Sequence, residues 1–387
     1  MVKPEADVAI IGAGPGGIGA GLGALSEGAR VTVVEAQDDV GSTKKGETIH
    51  FNSNMEDILG RGFFARHEIN RVDRRRYYSS TDRYYVDKSA SDPNIIFEWS
   101  DFMSDMTAIA RSKGLSITTG TRAVELIREQ DTVSGVIAQN GGAPERIEAP
   151  VVIGADGASG ITGHVTGYDR TGINLPTVKY LMSGVSMPDN RLEFFFHVYR
   201  DEPICMGFLF PRTTDIAEAG LLVFTNYMKD VGDTYDHRRM DELFHSFASY
   251  HPVFSERIRD ARSVYSLSTA IPMGGFVPRF VPFPGLMLTG DAAGQVEQKG
   301  GSGIASSFLI GFHTGRLAAR FARENAEWTD HTTRAMESSI RSHPSVRAIA
   351  SYHRAAGRVR SILFRLNDAG RHDTVFSVLS RLTGTGD

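Results

Sequence analysis

Three glycines near the N-terminus have the spacing of a phosphate-binding turn. Gly12, Gly14 and Gly17 fill the pattern G-x-G-x-x-G directly after the apolar run at 8–11. The first glycine of this pattern allows a tight turn, the second lets the backbone approach a pyrophosphate, and the third permits close packing of a helix on a strand. Because the helix that follows offers unpaired N–H groups and a partial positive charge, the segment predicts a pyrophosphate site.

An acidic residue follows at the distance that a dinucleotide site requires. A second β-branched run covers 31–34, and Glu35 comes directly after it, 23 residues beyond Gly12. A carboxylate at the end of the second strand can accept hydrogen bonds from both hydroxyls of a ribose. Strand, glycine turn, helix and second strand within about 30 residues predict a βαβ unit. The alternative is a glycine turn without a ligand beside a solvated glutamate.

Two later segments repeat the pattern of a strand that runs into glycine and aspartate. Asp156 lies in the segment 154–157 (GADG) after an apolar strand, although an ordinary Asp-Gly turn would look the same. Asp291 lies in 290–294 (GDAAG), and the glycine loop at 300–303 then opens a helix. The N-terminus of that helix would stabilise negative charge on a ring placed against it.

Two kinds of secondary structure position these segments. Residues 1–175 and 276–325 alternate buried strands with helices, which predicts a discontinuous α/β domain with a parallel sheet. Residues 176–275 contain alternating, aromatic-rich runs, which predict an inserted antiparallel-sheet domain of α+β type. Residues 41–95 read as irregular, and 326–387 read as an Arg-rich helical segment.

Composition and charge exclude several classes of protein. The 387 residues suffice for about two domains, and 41% hydrophobic with 23% charged residues is ordinary for a globular protein. With Cys205 as the single cysteine, neither a disulfide framework nor a metal site is predicted, and a reducing compartment fits. A net charge of −4 argues against nucleic-acid binding. Because the sequence shows neither a secretory signal nor an apolar run of about 18–20 residues, we expect a cytoplasmic location.

In this order and at these distances, the three motifs resemble those of FAD-dependent oxidoreductases of the p-hydroxybenzoate hydroxylase superfold. The resemblance covers residues 5–325. Within that superfold, the segments 290–294 (GDAAG) and 301–304 (GSGI) are most similar to the geranylgeranyl reductase family. The pair at 46–47 and the strand end at 207–211 (GFLFP) also resemble that family. The resemblance implies a Rossmann-like FAD-binding domain, with the antiparallel sheet as the roof of a substrate pocket.

The resemblance also implies where each part of FAD would lie. The first glycine motif would meet the pyrophosphate, Glu35 the adenosine ribose, and Asp291 the ribityl–pyrophosphate region. The glycine loop would lie beside the isoalloxazine ring, and the segment at Gly46 between the ring and the substrate. The cofactor contacts predicted in this way are Gly12, Gly14, Pro15, Gly16, Gly17, Glu35, Ala36, Gly46, Asp156, Gly290, Asp291, Gly301, Gly303 and Ile304.

The residues that would carry out the reaction are less clearly marked. Reductases of this family often have a cysteine just before the Gly-Glu pair, whereas Lys44 and Lys45 occupy those positions here. The strand at 206–210 contains no tryptophan, unlike the Trp-x-Trp pair of halogenases in this superfold. Hydride delivery needs orientation, a dry pocket and one proton source. Each polar candidate could instead be a solvated or structural side chain. The candidates are Lys45, Glu47, His50 and Gln298.

Two reactions and one non-enzymatic role fit these features. The first reaction is reduction or oxidation of a carbon–carbon bond in an apolar or amphipathic small molecule, through hydride transfer at flavin N5. The second is that of a monooxygenase, a hydroxylase or halogenase-like tailoring enzyme that uses a flavin hydroperoxide. The third reading is an FAD-containing scaffold or electron-transfer partner. Because no second G-x-G-x-x-G follows a strand, we expect electrons from transiently bound NAD(P)H or from a partner reductase.

The C-terminal segment combines basic and apolar residues at helical spacing. A basic amphipathic helix of this kind can lie on an anionic membrane. The pattern favours a helix packed on the FAD domain and leaves peripheral membrane contact open, and the sequence does not specify an oligomeric state. The residues that form the pattern are Arg347, Arg354, Arg358, Arg360, Arg365, Val346, Ile349, Ile362, Leu363 and Phe364.

Overall fold

The computed structural model of the chain describes residues 5–43, 45–170, 172–198, 203–225, 235–297, 303–366 and 368–383. The strands are β1 (Val8–Ile11), β2 (Val31–Val34), β3 (Gly46–His50), β4 (Asn70–Tyr78), β5 (Tyr85–Glu98), β6 (Ser116–Thr118), β7 (Arg122–Glu129), β8 (Thr132–Gln139), β9 (Glu145–Glu148), β10 (Val151–Gly154), β11 (Leu175–Ser183), β12 (Leu192–His197), β13 (Cys205–Pro211), β14 (Ile216–Val223), β15 (Arg262–Ile271) and β16 (Leu286–Leu288).

Helices pack against the sheets and form the C-terminal segment. They are α1 (Pro15–Ser26), α2 (Ser53–Leu59), α3 (Phe63–His67), α4 (Trp99–Ser112), α5 (Ile161–Val165), α6 (His237–Tyr250), α7 (Pro252–Ile258), α8 (Ile304–Arg323), α9 (Asp330–Ser342), α10 (Pro344–Leu366) and α11 (Ala369–Thr383). In the part of the chain that the structure describes, no helix combines the length and the hydropathy needed to cross a bilayer.

The first sheet is parallel, as the sequence predicts. Its strand order is β16-β10-β1-β2-β6, and every residue of β1, β10 and β16 is buried. Strands buried on both faces read as continuous apolar runs, which is why these strands are visible in the sequence. The strands β1, β10 and β16 lie side by side, so the three glycine motifs that follow them meet at one edge of the sheet.

The second sheet has the order β15-β11-β14-β13-β12-β4-β5-β3 and is antiparallel apart from one pair. The interpretation of 41–95 as irregular is wrong, because β3, β4 and most of β5 lie within those residues. The strand β4 pairs in parallel with β12, with Arg75 opposite Leu192. Charged side chains dominate β4, and β12 is distant in the sequence, so neither alternation nor closeness in the chain marks this pairing. The predicted domain boundaries remain a prediction, and this sheet extends beyond 176–275.

Helices α1 and α8 approach each other so closely that side chains are excluded from their contact. A Cβ added to Gly19 would lie 2.2 Å from the carbonyl oxygen of Phe308, and one added to Gly315 would lie 1.9 Å from that of Ala20. Real Cβ atoms do not occur at such distances from a carbonyl oxygen, so glycine is required at these positions. The same restriction applies to Gly23 and Gly311.

Each face of the second sheet has its own core. Phe195 of β12 points to the face that α6 and α7 cover, where its ring centroid is 5.2 Å from that of Phe254. Phe194 points to the opposite face and belongs to a cluster with Phe208 and Val296. Because successive side chains of a strand alternate between faces, one aromatic run supplies both cores.

Helix α11 closes against the turn that joins β4 to β5. His372 is fully buried, and its Nδ1 accepts a hydrogen bond from the backbone N–H of Ser80 at 3.3 Å. The hydroxyl of Thr81 donates a hydrogen bond to the carboxylate of Asp373. These contacts attach the C-terminal helix to the second sheet.

Buried histidines make the stability of the fold dependent on pH. Burial lowers the pKa of His372 from 6.5 to about 4, and burial beside His251 lowers the pKa of His197 from 6.5 to about 3. Between these values and 6.5 the unfolded chain binds more protons than the folded one, so stability falls as the pH falls. We expect each histidine to contribute about 1.4 kcal/mol per pH unit within that range.

Urea unfolding at pH 7, 6 and 5 measures this effect. His372→Gln removes one of the titrating groups and is expected to make the free energy of unfolding less dependent on pH than in the parent protein. An identical pH dependence in the variant and the parent would contradict the role of His372.

Candidate functional site

The carboxyl ends of the parallel strands open into three adjoining cavities. The outer cavity, of about 710 Å³, is lined by Gly12 and Glu35, among others. The inner cavity, of about 260 Å³, contains Asp291 in its wall. The apolar cavity, of about 70 Å³, lies against the second sheet and includes Phe194 and Phe208.

Neighbouring cavities have wall residues in common, so they form one continuous path from the parallel sheet to the second sheet. The outer and inner cavities share Gly14, Lys45, Trp99, Ala155, Gly157 and Thr269. The inner and apolar cavities share Glu47, Lys179, Ile271, Gly303 and Ile304. Ala36 also lines the outer cavity, and Pro15, Gly16 and Gly290 line the inner one.

The three glycines of the first motif differ in what surrounds them. A Cβ on Gly12 would lie 2.5 Å from the carbonyl oxygen of Ala155, and φ of Gly12 is +96°. A Cβ on Gly17 would lie 1.9 Å from the carbonyl oxygen of Gly12. By contrast, no described atom lies within 4 Å of the position of a Cβ on Gly14, which lines both the outer and the inner cavity. The first and third glycines therefore close the turn, and the second leaves room for a phosphate.

Glu35 lies where the sequence predicts, at the end of β2 in the wall of the outer cavity. One carboxylate oxygen accepts a hydrogen bond from the N–H of Ala13 at 2.7 Å, and the other from the N–H of Gln37 at 2.8 Å. These bonds fix the carboxylate against the first motif. Each carboxylate oxygen can accept a second hydrogen bond, which is what a ribose diol would supply.

Asp291 lies in a tight turn, Gly290–Ala293, that an arginine holds in place. Arg170 donates to the carbonyl oxygen of Asp291 at 2.7 Å and to that of Ala292 at 2.9 Å. Gln295 accepts from the N–H of Gly290 at 2.8 Å. Burial raises the pKa of the Asp291 carboxyl, which lies in the wall of the inner cavity. Sequence reasoning missed Arg170 because it lies 121 residues from the turn that it supports.

Asp156 has a structural partner. Its Oδ2 accepts a hydrogen bond from the N–H of Thr162 at 2.8 Å, and its Oδ1 accepts one from the hydroxyl of Thr162. The carboxylate thereby holds the first turn of α5, while the residue also lines the outer cavity. Its predicted contact with a cofactor stays a prediction.

A carboxylate between two lysines marks the boundary between the inner and the apolar cavity. Glu47 Oε1 lies 2.8 Å from Lys45 Nζ, and Glu47 Oε2 lies 3.2 Å from Lys179 Nζ. Lys45 Nζ also lies 4.1 Å from the ring centroid of Trp99. Burial would raise the pKa of Glu47, but the charges of Lys179 and Lys45 outweigh it and lower that pKa to about 2. We call these three residues the charged triad.

A second carboxylate lies close to the charged triad. Glu218 is 1% exposed, and its Oε1 lies 2.7 Å from Arg212 Nε. Burial raises the pKa of Glu218, while the charges of Lys179 and Arg212 oppose the rise. Arg212 also donates to Glu98 at 2.7 Å. The boundary between the cavities is therefore a partly buried network of alternating charges.

Lys179 is the functional candidate that sequence reasoning missed. It lies in the middle of β11, where its neighbours Val178 and Tyr180 are buried. A lone charged residue inside an otherwise apolar strand is the signal that could have revealed it, because lysine is almost never fully buried without a partner.

The other predicted catalytic residues lie elsewhere or outside the described part of the chain. Arg75 Nη2 lies 2.8 Å from His50 Nε2, and Arg75 also donates to Asn94 at 3.2 Å. His50 is not among the described residues that line the three cavities. Gln298 and Gly301 lie outside the described residues. Gly46 begins β3 and pairs with Glu98 of β5.

The apolar cavity has an aromatic wall. The rings of Phe208 and Phe210 stack with centroids 4.8 Å apart, and the ring of Phe194 lies 5.4 Å from that of Phe210. The remaining apolar wall residues are Met206, Leu222, Ile271, Met273 and Ile304. A cavity with this aromatic and aliphatic wall suits an apolar ligand.

Residues 5–327 match the family model described as an FAD binding domain. The chain belongs to this FAD-binding family. The comparisons thereby confirm the predicted FAD-dependent oxidoreductase and its FAD cofactor. The geometry of the site agrees with this assignment. Gly14, which leaves open space for a phosphate, and Asp291 line the same continuous path of cavities.

Known proteins similar to this chain include reductases and a halogenase. A digeranylgeranylglycerophospholipid reductase of Methanothrix thermoacetophila is 27% identical over 321 residues, which are 81% of this chain and 77% of that protein. A geranylgeranyl bacteriochlorophyll reductase-like protein of Thermoplasma acidophilum has a TM-score of 0.80 and 19% identity, over 97% of this chain and 91% of that one. A flavin-dependent brominase has a TM-score of 0.69 and 16% identity, over 97% and 99%. The predicted resemblance to geranylgeranyl reductases is confirmed by these relatives.

Gly14→Ala tests the assignment of the pyrophosphate site. The backbone of Gly14 has φ −67° and ψ 179°, which alanine adopts, and the added Cβ meets no described atom. We therefore expect the free energy of unfolding of the FAD-free protein to change by about 0.5 kcal/mol or less. The affinity for FAD should fall by about tenfold or more, because the methyl group occupies the space that the phosphate needs.

The measurements are urea unfolding of the FAD-free protein and titration of FAD by fluorescence. Gly142→Ala is the matched control, because an added Cβ there also meets only ordinary contacts and the position lies in the loop between β8 and β9. If Gly14→Ala bound FAD as tightly as the control does, the pyrophosphate site would be wrongly placed.

Proposed function

We propose that the chain is a reductase that saturates a carbon–carbon double bond of an apolar or amphipathic small molecule. The observation that supports this most directly is the aromatic cavity, which continues from the cofactor path and shares the walls at Gly303, Ile304 and Lys179 with it. A substrate in that cavity would contact the part of FAD that lies against the N-terminus of α8.

The residues that would hold FAD follow from the cavities that they line. The first glycine motif, with Pro15 and Gly16, would bind the pyrophosphate, and Glu35 with Ala36 the adenosine ribose. Asp291 and the N-terminus of α8 would hold the ribityl chain and the ring. Bound FAD supplies a two-electron carrier that accepts or gives up a hydride.

The chain itself supplies orientation and a dry pocket. The aromatic wall around Phe208 removes water from the substrate, which favours hydride transfer over side reactions. The charged triad places the ammonium group of Lys179 in the wall of that pocket and that of Lys45 in the wall of the inner cavity, and either can hold a proton there. Glu47 is ionised at neutral pH, since its pKa is about 2, so its role is to hold the lysines in place rather than to donate a proton.

Anaerobic turnover tests the proposed reaction. Holoprotein reduced with dithionite is mixed under nitrogen with a panel of isoprenoid compounds that have either isolated or carbonyl-conjugated double bonds, and the products are analysed by gas chromatography with mass spectrometry. We expect a saturated product and return of the oxidised flavin absorbance at the same rate. Protein without FAD is the control. The proposal would be contradicted if fully reduced holoprotein left every alkene unreduced.

The second candidate is a monooxygenase. The observation that favours it is Lys45 in place of the cysteine that reductases of this family often carry, here in contact with Glu47. Mixing the reduced holoprotein with oxygen separates the two reactions. An oxygenated product formed from an apolar substrate would favour the monooxygenase, whereas reoxidation without a product would favour the reductase.

We infer that electrons reach FAD from transiently bound NAD(P)H or from a partner reductase. The support is the sequence, which has a single glycine motif of the dinucleotide-binding type after a strand. Reduction of the holoprotein by NADH, by NADPH or by a reduced ferredoxin, followed through flavin absorbance, distinguishes the sources.

We also propose that α11 touches an anionic membrane. Val378 is 50% exposed and Leu382 is 79% exposed, and Arg371 and Arg381 on the same helix are exposed. Exposed apolar side chains beside arginines match the surface of an anionic bilayer. His372, on the buried side of α11, accepts a hydrogen bond from the backbone N–H of Ser80. The exposed side of α11 can therefore contact a membrane while the helix stays packed on the protein.

Pelleting with liposomes tests this contact. We expect the intact protein to sediment with vesicles of phosphatidylglycerol and to stay in the supernatant with pure phosphatidylcholine. Introducing Val378→Asp and Leu382→Asp together should abolish sedimentation without loss of FAD. Equal sedimentation of the variant and the intact protein would contradict the proposed surface.

A further inference from the structure

Lys179 is a buried cation that pairs with Glu47 at the edge of an aromatic cavity. The residue is 6% exposed, and it lies in β11 between buried apolar neighbours. Placing an ammonium group there costs free energy that a hydrophobic side chain would avoid. Such a residue is a candidate for a role in the reaction.

Lys179 lies at the boundary between two cavities. It lines the inner cavity, which contains Asp291 and Gly303, and the apolar cavity, which contains Phe194 and Phe208. In the described residues that line the apolar cavity, Glu47 and Lys179 are the charged ones. A ligand in this cavity therefore meets an ion pair, of which Lys179 is the cation, at one end and aromatic rings along the rest.

The neighbouring carboxylates keep this cation in place. Glu47 Oε2 lies 3.2 Å from Lys179 Nζ, and Glu47 is itself held by Lys45 on its other oxygen. Glu218, on the neighbouring strand β14, pairs with Arg212 at 2.7 Å. Groups that are held before the substrate arrives stabilise developing charge without reorganisation, which is the most effective form of electrostatic catalysis.

We propose that the substrate's double bond is conjugated to a carbonyl group and that Lys179 donates a hydrogen bond to the carbonyl oxygen. This inference rests on the proposed reductase function and specifies its substrate class. In a conjugated system, negative charge develops on the carbonyl oxygen during reduction, and a cation at the cavity boundary stabilises it. An isolated alkene has no atom on which Lys179 could act in this way.

Atoms and electrons are conserved in the proposed reduction. A hydride equivalent from the two-electron-reduced cofactor forms a C–H bond at the β-carbon of the substrate. The carbon–carbon π bond breaks, and its electron pair moves through the carbonyl to the oxygen, which Lys179 stabilises as an enolate. A proton from water then bonds to the α-carbon and restores the carbonyl. The substrate gains two electrons, and the cofactor loses two.

A matched pair of isoprenoid compounds tests the substrate class with the intact holoprotein. Pseudoionone carries a double bond conjugated to a ketone, and its reduction at that bond gives geranylacetone. Geraniol has double bonds without a conjugated carbonyl. We expect the reduced holoprotein to convert pseudoionone to geranylacetone and to leave geraniol unchanged.

Variants of Lys179 test the role of the side chain. Lys179→Met is expected to lower kcat for pseudoionone by about 100-fold, the effect of removing one donor to a developing oxyanion. Lys179→Arg retains the charge and should recover most of that loss. Lys88→Met is the control, because Lys88 is an exposed lysine of β5 that does not line the cavities as the structure describes them. FAD content and thermal unfolding verify that each variant is folded.

A measurement without turnover isolates the hydrogen bond. Infrared difference spectra of carbonyl-labelled pseudoionone on oxidised holoprotein should show a lowered carbonyl stretching frequency, which is lost in Lys179→Met and kept in Lys179→Arg. A lowered frequency that persists in Lys179→Met would overturn the inference, as would reduction of geraniol as fast as pseudoionone. If neither compound is reduced but the lowered frequency depends on Lys179, the proposed function fails while the carbonyl contact stands.

Discussion

The contact between the backbones of α1 and α8 is the constraint on which the site depends. Helix α1 begins inside the first glycine motif, and α8 begins at the end of the last glycine loop. Because Gly19 and Gly315 let the two helices touch without side chains between them, their N-termini open into the same path of cavities. Two positive helix ends then face one region, which suits an anionic cofactor. Any side chain in this contact would separate the two motifs.

The charged triad resolves a conflict between an apolar pocket and a polar reaction. A pocket that excludes water also penalises the charges that a reaction needs. Glu47 offsets this penalty by pairing with both Lys45 and Lys179, so that each charge is compensated within hydrogen-bonding distance. The second sheet supplies Lys179 and the aromatic wall together, and the segment at β3 supplies the carboxylate between them. The boundary of the two cavities is therefore formed by two strands of the same sheet, β11 and β3.

Much of the fold and of the cofactor site could be predicted from the sequence. The buried strand β1, the glycines after it and Glu35 form a local pattern, because a strand, a turn and a helix within one stretch determine each other. Glu47 was also a sequence candidate, but its partners were not. Arg170, Lys179 and Glu218 reach the site from distant segments, and β4 joins the second sheet through a parallel pairing with β12 that no local signal marks.

The sequence by itself determined the first βαβ unit and its phosphate-binding turn, since these depend on residues close together in the chain. The kind of cofactor was also visible in the sequence, because each of the three glycine motifs is local even though they are far apart from one another. Only the tertiary structure decided which side chains line the inner and the apolar cavity. Asp156, a predicted cofactor contact, lines the outer cavity and also holds α5. His50, a predicted catalytic residue, pairs with Arg75 and is not among the described residues that line the three cavities. Lys179 reads as an ordinary strand residue but becomes a buried cation. The physical reason is that burial and ion pairing arise only when distant segments pack, and these two effects set the chemistry of a charged group.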